Sequence, residues 1–314
     1  MKVILTGITG NLGHEVAFDL LDRKVEVIPI LRDMSKMPQV FKNKLNDVIE
    51  NNLESNSRID FDNHADLILH CAGSVHLKQS VGVNEMMTQK MINLAQKQQI
   101  PLYFVSTAFV HKPPEENSTF NNNYEMDKYR AEQAIINSGI KYAILRPSVL
   151  VGNTKTGAIQ NFTGYYSVVK ALLLYVNNSR MSHKKMRNPK FTGYSDVVPV
   201  DLVAKYIGDV IEEKKLGEFF ITNPDPPKAS WVLEKTINFF DVNELVKVID
   251  CTYEEFGKLD LTDDERKFYD FCKHFKPYWS IDYVFPNSLC KENLITQNYL
   301  KIILTYFAKQ SALL

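Results

Sequence analysis

Tyr124 and Lys128 stand four residues apart at the start of a stretch, Tyr124 to Asn137, that reads as a helix stopped by Gly139. One turn of helix separates them by a rise of ~6 Å and leaves both side chains on one face. An ammonium beside a phenol favours the phenolate and lowers its pKa. Such a tyrosine can give or take a proton near neutral pH. Upstream, Pro101 to Thr107 is an apolar strand ending in two hydroxyls, Ser106 and Thr107. Thr107 can hydrogen-bond the same substrate oxygen that Tyr124 protonates. The bland readings are an exposed Tyr/Lys pair and a turn cap at Thr107.

A second constellation lies at the beginning of the chain. Val3 to Leu5 is a short apolar strand, followed by Gly7, Gly10 and Gly13, and then by a helix carrying Leu12, Val16 and Leu20. Strand, glycine turn and helix is the setting of a dinucleotide-binding turn. Gly7 suits the tight turn, Gly10 the approach of a pyrophosphate, and Gly13 the close packing of helix on strand. The helix end presents N–H groups to phosphate. Arg32 follows the second strand, Val25 to Leu31, where a cation suits the 2′-phosphate of NADP and an acid the ribose of NAD. NADPH is therefore the expected cofactor, with Asp33 as a ribose ligand for NAD the alternative.

These groups need a scaffold that brings strand ends together. Further strands are expected at Leu67 to Cys71 and Tyr142 to Leu145, and a long helix at Val83 to Gln98. A weak helix is expected around Val40 to Leu45 and a short strand near Val48. Strands alternating with helices predict an α/β fold with a doubly wound parallel sheet. After Gly152 the pattern changes. A helix is expected over Tyr165 to Tyr175, another over Leu202 to Lys214, a strand over Phe219 to Thr222, and a mainly helical, aromatic-rich remainder. The expected division is a Rossmann domain over 1–152 and a mixed region over 153–314. Within the latter, 196–222 returns to the Rossmann core, while 153–195 and 223–314 form a smaller, mainly helical substrate region. That region either closes over a substrate or completes a core or dimer surface.

The chain has 314 residues with 37 basic and 37 acidic side chains, so its net charge is zero. That disfavours nucleic acid or an anionic membrane as a bulk partner. Cys71, Cys251, Cys272 and Cys290 show no paired spacing. No metal site or disulfide framework is expected, and a reducing, cytoplasmic setting is. The chain enters a strand directly, so no signal peptide is expected. The longest apolar stretch, Tyr165 to Val176, is interrupted by Lys170 and too short to span a bilayer. Lys184, Lys185, Arg187 and Lys190 form the densest basic cluster, read either as a solvated loop or as a dock for an acidic carrier or a CoA phosphate. Leu300 to Phe307 reads as a core helix, with an interfacial helix as the alternative.

Taken in order, Thr6-Gly7-x-x-Gly10-x-x-Gly13, His70-Cys71-Ala72-Gly73, Ser106-Thr107, Tyr124-x-x-x-Lys128 and Arg146-Pro147-Ser148 resemble the extended short-chain dehydrogenase/reductase superfamily. The resemblance reaches to about Thr222. It implies a catalytic triad of Thr107, Tyr124 and Lys128, with Lys128 also holding the nicotinamide ribose. It further implies cofactor contacts from Gly7, Thr9, Gly10, Asn11, Leu12, Gly13, Arg32, Asn52, Cys71, Ala72, Gly73, Pro147, Ser148 and Val149. His70 is read as structural or as a cofactor neighbour, and Cys71 as a packed small residue. The wording around Leu69 to Val75, Val105 to Val110, Ile144 to Gly152 and Asp196 to Asp201 is similar to the reductase branch, which holds fatty acyl-CoA reductases and thioester reductase domains. Two departures are Gly73, where Ala is usual, and Asp127, where Ser often precedes the lysine.

The resemblance implies an NADPH-dependent reductase of an acyl thioester on a carrier protein or CoA, releasing an aldehyde or alcohol, and leaves a homodimer open. Two alternatives remain at this point. One is a nucleotide-sugar epimerase or dehydratase with tightly bound NAD. The other is a non-catalytic NADP-binding regulator.

Overall fold

The structure, a computed structural model, describes residues 1–45, 47–55, 57–59, 61, 63–75, 82–111, 120–181, 184–288 and 294–311. Residues 112–119, just before the stretch that carries Tyr124, and Cys290 lie outside the described residues. In chain order the elements are β1 (Lys2–Thr6), α1 (Asn11–Asp22), β2 (Glu26–Leu31), β3 (Ile49–Glu50), β4 (Leu67–His70), α2 (Val83–Gln98), β5 (Leu102–Val105), α3 (Asn123–Asn137) and β6 (Tyr142–Pro147). There follow β7 (Val149–Val151), α4 (Tyr165–Met181), β8 (Met186–Pro189), β9 (Val197–Pro199), α5 (Val200–Glu212), β10 (Gly217–Ile221), α6 (Ala229–Phe239), β11 (Val246–Ile249), α7 (Tyr253–Gly257), α8 (Asp263–Cys272) and α9 (Gln297–Gln310). Two compact units result: Met1–Ser148 with Val200–Thr222 and Asn287–Cys290, and Val149–Pro199 with Asn223–Pro286 and Lys291–Leu314.

The first unit holds the doubly wound α/β sheet that the alternation predicts. Its seven strands run parallel in the order β3-β2-β1-β4-β5-β6-β10. Parallel strands covered on both faces read as continuous apolar runs, and these do. Ile4, Ile28, Ile68 and Phe104 pack with Met91 and Ile92 of α2 and Ala131 and Ile135 of α3. Val3 and Leu5 alternate to the other face and are equally buried. Strand order reverses between β1 and β4, the switch point at which such sheets bind ligands beyond their strand ends. The weak helix expected over Val40 to Leu45 is a single 3-10 turn, Gln39–Phe41, and the short strand near Val48 is β3.

Two charge clusters tie this unit together. Arg23 of α1 binds Asp19 at 2.7 Å and reaches Asp209 and Glu212 of α5 at 2.6 and 2.5 Å. Arg146, at the end of β6, makes a two-point contact to Glu132 of α3 (3.0 and 2.6 Å), and binds Glu218 at 2.7 Å. Both members of the first pair are buried.

The second unit contains more strand than its sequence suggests. Its two sheets, β7-β9 and β8-β11, have two parallel strands each. One core joins Leu172 and Val176 of α4 to Leu233 of α6, Phe268 of α8, and the stacked pair Phe191 and Trp279 (ring centroids 4.2 Å apart). The other packs Tyr166 and Val169 against Ile303, Leu304 and Phe307, so α9 is a core helix here. The basic cluster is largely paired with acids. Lys185 lies 3.2 Å from Glu244, Arg187 2.7 Å from Glu265 and Lys190 3.1 Å from Asp250. Among the described residues, no helix is long and apolar enough to cross a membrane.

Breaking a buried ion pair leaves its partner charge poorly compensated. Glu132→Gln is therefore expected to destabilise the protein by about 3 kcal/mol. The measurement is urea denaturation, read as a lower midpoint at unchanged slope.

Candidate active site

The glycine turn is built by close contacts that only glycine allows. Gly7 has φ +79°, and a Cβ on it would lie 2.7 Å from the Ala72 nitrogen. The Gly10 N–H donates to the Gly7 carbonyl at 2.9 Å. A Cβ on Gly13 would sit 2.1 Å from that same carbonyl oxygen. α1 therefore starts directly against the end of β1. Gly10 caps it without a side-chain hydrogen bond, and its first turn holds no acid. Leu12 and Gly13 are buried behind the turn, while Thr9 is exposed and Asn11 partly so. An open helix end with no competing carboxylate suits a pyrophosphate.

The end of β4 is bolted to the same turn. Thr6 Oγ1 accepts the Ala72 N–H at 2.9 Å and pairs with His70 Nδ1 at 2.7 Å. Burial, with the Lys128 ammonium nearby, pushes His70 down to about 3, so the ring is neutral. Burial pushes the Cys71 thiol up to about 12, which leaves it a poor nucleophile. His70 Nε2, Ser106 Oγ and Ser148 Oγ are buried without a hydrogen-bond partner among the described residues. They lie at or just beyond the ends of the neighbouring strands β4, β5 and β6. Unpaired buried polar atoms are costly. Such a set fits a polar ligand group lying across these strand ends, as a nicotinamide carboxamide would.

Arg32 follows β2 with its side chain 66% exposed and 3.4 Å from Glu54. Asp33 is already engaged, because its Oδ1 accepts the Ser35 N–H at 2.8 Å and caps a 3-10 turn. Its carboxyl is held below the usual range by that contact. Asn52 forms a turn beyond β3. Its Oδ1 accepts the Glu54 N–H at 3.0 Å and its carbonyl accepts Lys90 Nζ at 3.1 Å. Pro147 ends β6, Ser148 donates its N–H to the Ile221 carbonyl at 3.2 Å, and Val149 opens β7 in the second unit.

Thr107, Tyr124 and Lys128 come together at the end of β5. Thr107 is buried, accepts the Phe109 N–H at 3.4 Å, and hydrogen-bonds Tyr124. It is thus both a turn cap and a partner of the phenol. Lys128 is 4% exposed, donates to the Val105 carbonyl at 2.8 Å, and places Nζ 4.6 Å from the Phe104 ring centre. Burial pushes its ammonium down to about 8, against the raising effects of Cys71, Glu132 and Asp127. The phenol behaves otherwise than the spacing predicts. Burial and the adjacent Glu125 carboxylate push Tyr124 up to about 12, and the Thr107 hydrogen bond offsets them only in part. The result is a phenol that carries its proton at neutral pH.

Two residues that the spacing did not single out as parts of the site belong to its frame. Asn84 bridges both backbone groups of Ser74, and the Asp127 carboxylate caps α2. Nothing in periodicity marks Asn84. Asp127 stands out in sequence only as an acid where a hydroxyl is usual.

Comparison with known proteins follows from this geometry. The sequence model of the male sterility protein family, an NAD-binding family, matches residues 47–207, about half of the chain. The match includes Gly73, Thr107, Tyr124, Lys128 and Arg146 but not the glycine turn, which rests on its own geometry. The hybrid PKS-NRPS synthetase gkaA of Penicillium citrinum is 26% identical over 256 residues, 70% of this chain and 6% of that protein. The hybrid PKS-NRPS synthetase pydA of Acremonium sp is 26% identical over 175 residues, 48% of this chain and 4% of that protein. The chain thus spans only a small part of these curated relatives. Among solved structures, the terminal R domain of the myxalamid PKS-NRPS pathway superposes with a TM-score of 0.73 at 18% identity, over 99% of this chain and 91% of that one. A thiolation-reductase di-domain from an archaeal non-ribosomal peptide synthetase gives 0.70 at 16%, over 99% and 76%. UDP-glucose 4-epimerase of Thermotoga maritima gives 0.64 at 15%, over 99% and 100%. At these identities the superpositions establish the fold.

The cradle makes a direct prediction. Gly13→Val forces a side chain against the Gly7 carbonyl and is expected to weaken binding of a nicotinamide dinucleotide, NADH or NADPH, about 100-fold or more. Fluorescence titration of the folded variant checks it. Unchanged affinity would contradict the assignment of this turn.

Proposed function

The chain belongs to the male sterility protein family, an NAD-binding branch of the extended short-chain dehydrogenase/reductases, and we propose that it is an NADPH-dependent reductase of acyl thioesters. The observation that carries this reading is the meeting of Thr107, Tyr124 and the buried Lys128 at the end of β5, at strand ends shared with the glycine turn. Thr107, Tyr124 and Lys128 could serve reduction and sugar oxidation alike, so the preference for reduction rests on the synthetase relatives. The synthetase relatives, with the R domain and thiolation-reductase neighbours, support a thioester carried on a phosphopantetheine arm as the substrate class. Exposed Arg32, beside an Asp33 already spent on its turn, supports a 2′-phosphate and hence NADPH.

The bound cofactor supplies the hydride. Thr107 and Tyr124 donate hydrogen bonds to the carbonyl oxygen as negative charge builds on it. Tyr124 then gives up its proton, leaving a hemithioacetal on the substrate. Breaking the carbon–sulfur bond regenerates a carbonyl as the hydroxyl proton returns to Tyr124, and the departing thiolate takes the one proton drawn from solvent to leave as a thiol. The balance is one thioester, one NADPH and one proton consumed, with one aldehyde, one thiol and one NADP formed. Lys128, whose Nζ is fixed on Val105, presents its charge to the phenolate and would hold the nicotinamide ribose.

Turnover in this scheme needs the Lys128 ammonium. With its pKa pushed down to about 8, the charge is present below that pH and lost above it, so reduction is expected to fall through an alkaline limb near 8. Tyr124→Phe is expected to lower kcat on an acyl-pantetheine thioester by about 100-fold or more, with NADPH affinity kept. Steady-state rates across pH and an NADPH titration of the variant measure both. Full turnover by Tyr124→Phe would sink the mechanism.

A further inference from the structure

Asp127 has no part in the chemistry above, yet it is a fully buried carboxylate immediately before Lys128. Its oxygens are spent on another helix. Oδ1 accepts the Gly82 and Glu85 N–H groups at 2.9 and 3.2 Å, and Oδ2 accepts the Asn84 N–H at 2.7 Å. α2 needs such a cap from outside, because its own N-cap, Gly82 at φ +100°, has no side chain to offer. The cap fixes Asn84. Asn84 Oδ1 accepts the Ser74 N–H at 2.8 Å and its Nδ2 donates to the Ser74 carbonyl at 3.1 Å. The preceding residue is Gly73, where a Cβ would lie 3.0 Å from both Asn84 Oδ1 and Lys128 Nζ. The contacts form a closed ring that leaves α3 at Asp127 and returns to it at Lys128.

We propose that Asp127 is the positioning residue of this site: by capping α2 it holds Asn84, and through it the Gly73–Ser74 backbone, against the Lys128 ammonium, and so keeps Nζ on the Val105 carbonyl. The proposal rests on the reductase reading only for what Lys128 does in turnover. The groups facing Lys128 leave little else for this task. From the end of β4 come His70, neutral, and Cys71, held as a thiol. From β5 come the Val105 carbonyl and the Phe104 ring. From α3 come Tyr124, Glu132 and Asp127, and Glu132 is already bound at two points by Arg146. Asp127 is the carboxylate that both shapes the wall around the ammonium and favours its charge. The two departures from the family pattern, Gly73 and Asp127, are then one arrangement. The glycine leaves room for the ammonium, and the acid steadies the backbone that the glycine leaves bare.

The test is an NMR titration of the full chain labelled with 13C at lysine Cε, without substrate, alongside steady-state kinetics. In Asp127→Asn the Lys128 titration is expected to move down by about one pH unit. The alkaline limb of kcat should follow it, kcat at neutral pH should fall about tenfold, and KM for the thioester should hold. Asp127→Glu, which keeps the carboxylate, should recover part of the loss. Asn84→Ala leaves the carboxylate in place and cuts the ring elsewhere, so it should also shift the Lys128 signal. It carries the test if Asp127→Asn does not fold. An unmoved Lys128 titration in a folded Asp127→Asn or Asn84→Ala protein overturns the proposal. A moved titration in a protein that reduces no thioester would retain the positioning role and discard the reductase reading.

Discussion

A buried lysine whose ammonium donates to a backbone carbonyl is the constraint on which the site depends. Taking an ammonium out of water costs several kcal/mol unless its donors are satisfied. Here Lys128 is satisfied by a backbone carbonyl and by the face of Phe104. Both belong to β5, so the strand end and the helix start must keep their relative positions or the cation is stranded. Gly73 follows from the same need, because any larger residue would press on the ammonium. The Glu132–Arg146 pair, one turn further along α3, ties the helix to β6 as well.

The sheet explains why these pieces meet. In a parallel sheet every strand ends on the same side, and reversal of strand order between β1 and β4 opens a crevice there. The glycine turn follows β1, His70 ends β4, Ser106 and Thr107 follow β5, and Pro147 ends β6. Residues far apart in sequence become neighbours because the topology leaves their strand ends adjacent. The Thr6–His70 contact and the approach of Gly7 to Ala72 close the switch point itself.

Much of this was legible from residues alone, for definable reasons. Fully buried parallel strands are apolar runs, so β1, β2, β4 and β5 are plain in the sequence. α2 runs from Val83 to Gln98 as its periodicity predicts. Elements whose pattern comes from distant partners were not legible. β8 reads as part of a basic run because its partner β11 and the acids Glu244, Asp250 and Glu265 lie about sixty to eighty residues away. The cap on α2 is invisible because it comes from α3. The direction of the Tyr124 shift was missed for the same kind of reason. Helical spacing places the lysine near the phenol, but burial and the adjacent Glu125 carboxylate set the direction of the shift.

The central claim is that Tyr124, Lys128 and the glycine turn form one hydride-transfer site acting on a thioester. The most direct measurement is a single turnover of an acyl-pantetheine thioester with NADPH deuterated at the transferring C4 position, followed by mass analysis of products. The account predicts one deuterium at C1 of a released aldehyde, or two at C1 of an alcohol formed by a second reduction, with an equivalent of free thiol. Intact thioester and undiminished NADPH, from protein that binds the cofactor, would contradict it.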